Sequence, residues 1–100
     1  MKTSELTKEQ KLAVIDEILA KYERDERYQW YICHDLKHTA RDKGYVSAFE
    51  KAVKLIPELL MVKPEDEDMI GAWFGDDEDP DNRPLRFEAL HRLREIVMKS

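Results

Sequence analysis

His34 and His38 are the first residues whose types and spacing suggest chemistry. They are four positions apart, so on a helix both imidazoles project from one face, where they can hold a zinc or nickel ion. Asp42 continues that face, but about 12 Å of helix axis separates positions 34 and 42, too far for one ion without a kink. Two interpretations are open: a two-histidine metal site, or an exposed polar face opposite Ile32 and Leu36.

A second candidate metal site lies in a loop ahead of the last helix. Acidic side chains alternate at Asp77, Asp79 and Asp81, and Glu88 is the twelfth residue counted from Asp77. This spacing matches a calcium-binding helix–loop–helix, in which alternate carboxylates wrap around a large, hard cation. The sixth position is Asn82 instead of the usual glycine. Calcium is therefore the cofactor to test, and an acidic loop that binds no ion is the alternative.

The acidic connector is residues 63–82, and within it positions 65–81 hold nine acidic side chains and no basic one. The whole chain has 17 basic and 22 acidic residues, net −5. The residues outside positions 65–81 therefore number 17 basic and 13 acidic, net +4. Aromatics beside such charges make a typical protein-binding surface, because the rings anchor a partner and the charges steer its approach. The alternative is that the two aromatics pack in the core. The predicted contact residues are Trp73, Phe74, Asp76, Asp77, Asp79 and Asp81.

No spacing of side chains matches a catalytic motif. The three glycines are isolated, so there is no phosphate-binding loop. Cys33 and His34 are neighbours that project about 100° apart on a helix, so they do not form a nucleophile–base pair. Basic residues between positions 24 and 43 alternate with acidic ones, which indicates a solvated surface and not a phosphate-binding track. We therefore expect a non-enzymatic protein that does not bind nucleic acid directly.

Composition limits the compartment and the size of the protein. One hundred residues suit one domain. Cys33 is the only cysteine, which excludes an internal disulfide and favours a reducing compartment with a buried thiol. No signal peptide is recognisable, and the longest apolar run, residues 59–62, is too short to cross a membrane. We expect a soluble, cytoplasmic protein, with Trp30 as a candidate contact between copies in a homo-oligomer.

Helical spacing dominates the first half of the chain. Thr7 and Gln10 predict a capping box that starts a helix from Lys8 to about Tyr22. Gly44 is the expected residue after a second helix, because glycine adopts the left-handed conformation without steric cost. The predicted buried stripes are Leu12, Ile15, Ile18, Leu19 and Tyr22 in the first helix, and Tyr28, Tyr31, Ile32, Leu36 and Ala40 in the second.

The second half contains a further start signal and a closing helix. Ser47 and Glu50 predict another capping box, opening a third helix that ends or kinks at Pro57, where a further turn can begin. A last helix is predicted from about Pro84 to Met98. We therefore expect one all-α domain, residues 1–100, of four to five short helices around a common core, with the acidic connector as a long loop before the last helix. The predicted buried residues are Phe49, Val53 and Ile56 in the third helix and Phe87, Leu90, Leu93 and Val97 in the last.

Three sequence elements, in a fixed order, carry a family resemblance. They are Trp30-Tyr31-Ile32-Cys33 with Leu36, then Ala72-Trp73-Phe74 before a polar loop, then Arg86-Phe87 with Leu90 and Leu93 in a closing helix. This order resembles that of small phage-encoded helical proteins of uncharacterised function, over about residues 28–97. Members often carry paired tryptophans followed by proline, whereas in this chain the pair is Trp73-Phe74 and it is followed by Gly75. The resemblance implies a non-enzymatic accessory or anti-defence protein that binds a host component in the host cytoplasm, and it transfers no catalytic residue.

Overall fold

The computed structural model describes residues 5–25, 31–62 and 83–100, with side chains in the last range from Arg86 onwards. Every regular element in these ranges is helical: α1 (Lys8–Arg24), α2 (Ile32–Asp42), α3 (Ala52–Leu55), a 3₁₀ helix (Pro57–Val62) and α4 (Arg83–Lys99). The prediction of an all-α domain of four to five helices is confirmed. The acidic connector, and with it the predicted path of that loop, lies outside the described residues, as do Tyr28 and Trp30.

Helix α1 begins where the local sequence predicts. The amide of Gln10 donates to Thr7 Oγ1 at 3.2 Å, and the amide of Thr7 donates to Gln10 Oε1 at 3.0 Å, so both halves of the capping box are formed. The helix continues to Arg24, two residues beyond the predicted end. Leu12 is half-buried, and the fully buried apolar side chains of this helix are Val14, Ile15, Ile18, Leu19 and Tyr22.

Helix α2 ends as predicted but begins later. Gly44 has φ = +78°, the left-handed conformation that ends many helices. Its amide donates to the Arg41 carbonyl at 2.9 Å, and the amide of Tyr45 donates to the Ala40 carbonyl at 2.9 Å, which together form a Schellman motif. Tyr31 is the extended N-cap residue and not part of the predicted helical stripe. Its ring instead contacts the Arg86 guanidinium, a tertiary contact that the local pattern does not contain.

The predicted third helix is wrong in its start and in one of its buried residues. Residues 47–50 are not helical, and α3 occupies only Ala52–Leu55 before Pro57 opens the 3₁₀ helix. Phe49, predicted to be buried, is 52% exposed, because its ring packs on the outside of α2 and not inward. Val53 is half-buried, whereas Ile56 is buried as predicted. The local capping signal at Ser47 therefore does not begin a helix, and Phe49 packs against the preceding helix instead.

The core lies where α1 packs against α2 and α4, and where α4 packs against the 3₁₀ helix. Helix α4 matches its predicted bounds to within one residue at each end. Phe87 is half-buried and meets the Tyr22 ring edge-on, with centroids 6.3 Å apart. Leu90, Leu93 and Val97 of α4 are buried as predicted, and Ala89 is buried beside them. No helix within the described ranges combines the length and the apolar composition that a transmembrane span requires.

A buried ion pair joins α1 to the 3₁₀ helix. Lys11 is 6% exposed and Glu58 is 8% exposed, and Lys11 Nζ lies 2.7 Å from both carboxylate oxygens of Glu58. Glu5 adds a third contact, at 2.7 Å from its Oε1 to the same ammonium. Burial lowers the pKa of Lys11, but the hydrogen bonds from Glu5 and Glu58 and their charges outweigh it, so the pKa of Lys11 is raised. The sequence carries no local signal for this pair, because its members are far apart in the chain.

Candidate binding surface on helix α2

Helix α2 presents a basic outer face. His34, Lys37, His38 and Arg41 follow the i, i+3, i+4, i+7 spacing of one helical stripe. With about 100° between successive residues, this stripe is centred opposite the buried stripe of the same helix. Asp35 belongs to the buried side. These four side chains, together with Phe49, are called the α2 basic face.

Phe49 completes this face from the loop that follows α2. The Arg41 guanidinium carbon lies 4.9 Å from the ring centroid of Phe49, and Lys37 Nζ lies 5.6 Å from it. His38 approaches the same ring edge-on, with centroids 4.9 Å apart. Cations over an aromatic face are attracted by the electrons of the ring, which positions both long side chains. The result is a half-exposed aromatic ring bordered by two cations and an imidazole.

The two histidines predicted as metal ligands are brought together. The His34 and His38 ring centroids are 4.1 Å apart. Arg41 Nη2 lies 3.2 Å from His38 Nδ1, and because arginine only donates, Nδ1 accepts this bond. Burial, followed by the charges of His38 and Lys37, lowers the pKa of His34. Its neutral form, the one that binds metals, is therefore favoured.

Two ligands are all that the described part of this face supplies. No group of three or more His, Cys, Asp and Glu side chains suited to a metal ion occurs in residues 5–25, 31–62 and 83–100. Asp42, which continues the histidine face, accepts a long contact of 3.4 Å from Arg41 Nη2. A metal held by His34 and His38 would have to complete its coordination with water or with groups of a partner.

The calcium prediction and the acidic contact surface fall mainly outside the described residues. Asp77, Asp79 and Asp81 lie there, as do the predicted contact residues Trp73, Phe74 and Asp76. Glu88 is described: it is exposed on α4 and accepts a hydrogen bond from Arg92 Nη2 at 2.8 Å, one helical turn away. This carboxylate therefore already has a cationic partner on its own helix.

Cys33 lies beside the α2 basic face and opens onto a cavity. The cavity has a volume of about 210 Å³ and is lined by Cys33, Lys37, Lys51, Ala52 and Val53. Burial raises the pKa of the half-buried Cys33 thiol to about 11, and the charge of Lys37 offsets this only in part. The thiol is therefore protonated at neutral pH and a poor nucleophile.

Sequence patterns missed Phe49 as a surface residue and Lys51 as a cavity residue. Both precede α3 in an irregular segment, so neither belongs to a periodic stripe. The sequence signal that could have revealed this surface is the helical spacing of His34, Lys37, His38 and Arg41 on α2. Acidic residues lie between these basic residues in the sequence and obscured the outward-facing stripe.

Comparisons of the chain with protein-family models, with curated proteins and with solved structures found no match. The function is therefore inferred from the residues and the geometry described above.

Proposed function

We propose that this protein is a non-enzymatic interaction protein that binds another protein through charged and aromatic surfaces. The observation that carries the proposal is the α2 basic face, on which the 52% exposed Phe49 ring is held between Lys37 and Arg41. Aromatic and arginine side chains provide much of the binding energy at protein interfaces, and peripheral charges raise association rates. A partner that covers this face would bring an acidic surface.

The charge distribution supports a second contact region on the same molecule. Nine acids lie between positions 65 and 81, whereas the remaining residues carry a net charge of +4. Opposite charges concentrated in different parts of a chain favour a defined orientation of the partner. The predicted contacts Trp73, Phe74, Asp76, Asp77, Asp79 and Asp81 therefore remain part of the proposal. The resemblance to small phage-encoded helical proteins supports an accessory or anti-defence role in a host cytoplasm.

Quantitative affinity capture with mass spectrometry tests the α2 basic face. Phe49→Ala and the double variant Lys37→Glu/Arg41→Glu are compared with the wild type. The control is Lys8→Glu/Lys99→Glu, which makes the same change in net charge at exposed residues of α1 and α4. We expect Phe49→Ala to weaken capture of the specific partner by about thirtyfold, the loss typical of an interface hot spot.

The outcomes separate the possible contact surfaces. Equal capture by the wild type and both α2 variants would contradict binding through the α2 basic face. If capture is lost only when Asp76, Asp77 and Asp79 are replaced by Lys, the partner binds the acidic connector and not the α2 basic face. Capture that disappears after nuclease treatment would identify a nucleic acid and contradict a protein partner.

Metal binding is the second candidate function, because the His34 and His38 rings lie 4.1 Å apart. Calorimetric titration with zinc and nickel, using His34→Ala and His38→Ala as controls, tests this pair. A separate calcium titration tests Asp77, Asp79, Asp81 and Glu88. A bound ion must raise the melting temperature by mass action, so millimolar calcium that neither releases heat nor stabilises the fold would exclude the calcium loop.

A further inference from the structure

Arg86 is a buried cation with unused hydrogen-bond donors. It lies in the first part of α4 and is 3% exposed. Its Nε and Nη1 atoms find no hydrogen-bond partner among the described residues. A guanidinium stays charged in proteins, and a charged donor that has lost water without gaining an acceptor is strongly destabilising. Such groups are rare in native structures, so this one requires an explanation.

The aromatic contact of Arg86 leaves these two donors open. Its guanidinium carbon lies 5.0 Å from the centroid of the Tyr31 ring. Stacking of this kind favours the flat face of the cation, whereas the N–H bonds point outward in the plane of the group. The aromatic contact therefore stabilises the charge but satisfies none of the donors at its edges.

Tyr31 also marks the beginning of α2. It is the N-cap residue, and its side chain makes no capping hydrogen bond. The amide of Asp35 donates to the Tyr31 carbonyl at 2.9 Å, so the amides of Ile32 and Cys33, which precede it, have no acceptor inside α2. Aligned amides at a helix start carry partial positive charge and favour anions. Tyr31 therefore takes part in both features: its ring contacts the buried guanidinium, and its backbone begins a helix that has no side-chain cap.

We infer that Arg86 and the beginning of α2 form a binding site for a small oxyanion of the inorganic phosphate type. The anion would accept hydrogen bonds from the guanidinium and lie in the favourable field of the helix start. The deep burial of Arg86 selects a free, small anion over a phosphate group attached to a larger molecule. This site does not depend on the proposed interaction function.

Asp35 follows Tyr31 by one helical turn, so it is the acidic side chain to test as an alternative counter-charge for Arg86. It is buried in the first turn of α2 and carries a carboxylate that can neutralise a nearby cation. Asp35→Asn removes this charge with little change in shape. It therefore distinguishes an anion taken from solution from a counter-charge supplied by the chain itself.

Thermal unfolding of the full chain in inorganic phosphate, against chloride at equal ionic strength, tests the site. At about five times the Kd of phosphate, we expect the wild-type melting temperature to rise by about 4–8 °C. Arg86→Met should lose this rise while keeping any general salt effect, which acts on the whole surface. O-phosphoserine at the same concentration should produce no comparable rise.

Three outcomes would overturn the inference. The first is an equal rise in melting temperature with phosphate in the wild type and in Arg86→Met. The second is a rise with O-phosphoserine equal to that with phosphate. The third is a rise with phosphate that occurs in Asp35→Asn and not in the wild type. Should Arg86→Met fail to fold, phosphorus NMR of inorganic phosphate titrated with the wild-type protein decides. Broadening of the phosphate signal that saturates at millimolar phosphate supports the site, and an unchanged signal rejects it.

Discussion

Replacing Lys11 with methionine should strongly destabilise the fold. Methionine keeps most of the length of the apolar stem but removes the ammonium that lies 2.7 Å from both carboxylate oxygens of Glu58. Glu58 is 8% exposed, so its charge would then be buried with its principal partner gone. Breaking a buried pair in this way typically costs about 3–5 kcal/mol.

The contribution of Glu5 should be much smaller. Its side chain is 55% exposed, so water already solvates and screens its carboxylate. An exposed ion pair contributes about 0–1 kcal/mol, which sets the expected cost of the matched control Glu5→Gln. The double variant Lys11→Met/Glu58→Met removes both buried charges and should recover to within about 1 kcal/mol of the wild type or exceed it.

Urea unfolding followed by circular dichroism measures these differences as shifts in the midpoint at constant m-value. A 100-residue domain with a typical stability of about 5–15 kcal/mol has room for a 3–5 kcal/mol loss to be measured. The reasoning would be refuted by Lys11→Met unfolding within about 1 kcal/mol of the wild type, or by a double variant as unstable as the single one.

The same pair predicts a pH dependence of known sign. The folded pKa of Lys11 is raised above its ordinary value of 10.5. The stability that it contributes is therefore fully present below that value and is lost as the pH rises through the folded pKa. The wild type should thus lose stability relative to Lys11→Met/Glu58→Met above about pH 10.5, and a constant difference up to pH 12 would contradict this.

Three further predictions concern local features. Gly44→Ala should cost about 1 kcal/mol in urea unfolding, because φ is +78° and alanine is strained there although its Cβ would meet no atom within 4 Å; Gly44→Asn should cost less. Thr7→Ala should cost about 1 kcal/mol in the same assay, whereas Thr7→Ser keeps the cap and should cost little. Cys33, with a pKa of about 11, should react with iodoacetamide at pH 7.5 on the order of a hundredfold more slowly in the folded protein than in urea, and equal rates would contradict its burial.

Local sequence signals predicted the elements that local interactions form. The capping box at Thr7 and the glycine at position 44 act within a few residues, so both appear in the structure as expected. The capping signal at Ser47 has the same form, but residues 47–50 are not helical and Phe49 packs against the outside of α2. A capping box contributes little energy, so contacts between separate elements of the fold can outweigh it.

The candidate surface was predictable only in part. The spacing of His34 and His38 indicated one face of a helix, and their rings do lie together. The position of Phe49 between Lys37 and Arg41 was not predictable, because it depends on the path of the loop between α2 and α3. The burial of Arg86 was equally hidden, since an arginine near the start of a helix is normally solvated.

The amino-acid sequence by itself determined the helical class, the start of α1, the C-terminal end of α2, and most of the buried stripes of α1 and α4. Those features arise from hydrogen bonds and side-chain periodicity within a few turns of chain. The tertiary structure alone decided that Lys11 pairs with Glu58, that Phe49 faces outward, and that Arg86 lies inside. Each of these depends on contacts between separate elements of the fold, and the energy of such contacts exceeds the weak preferences of any single segment.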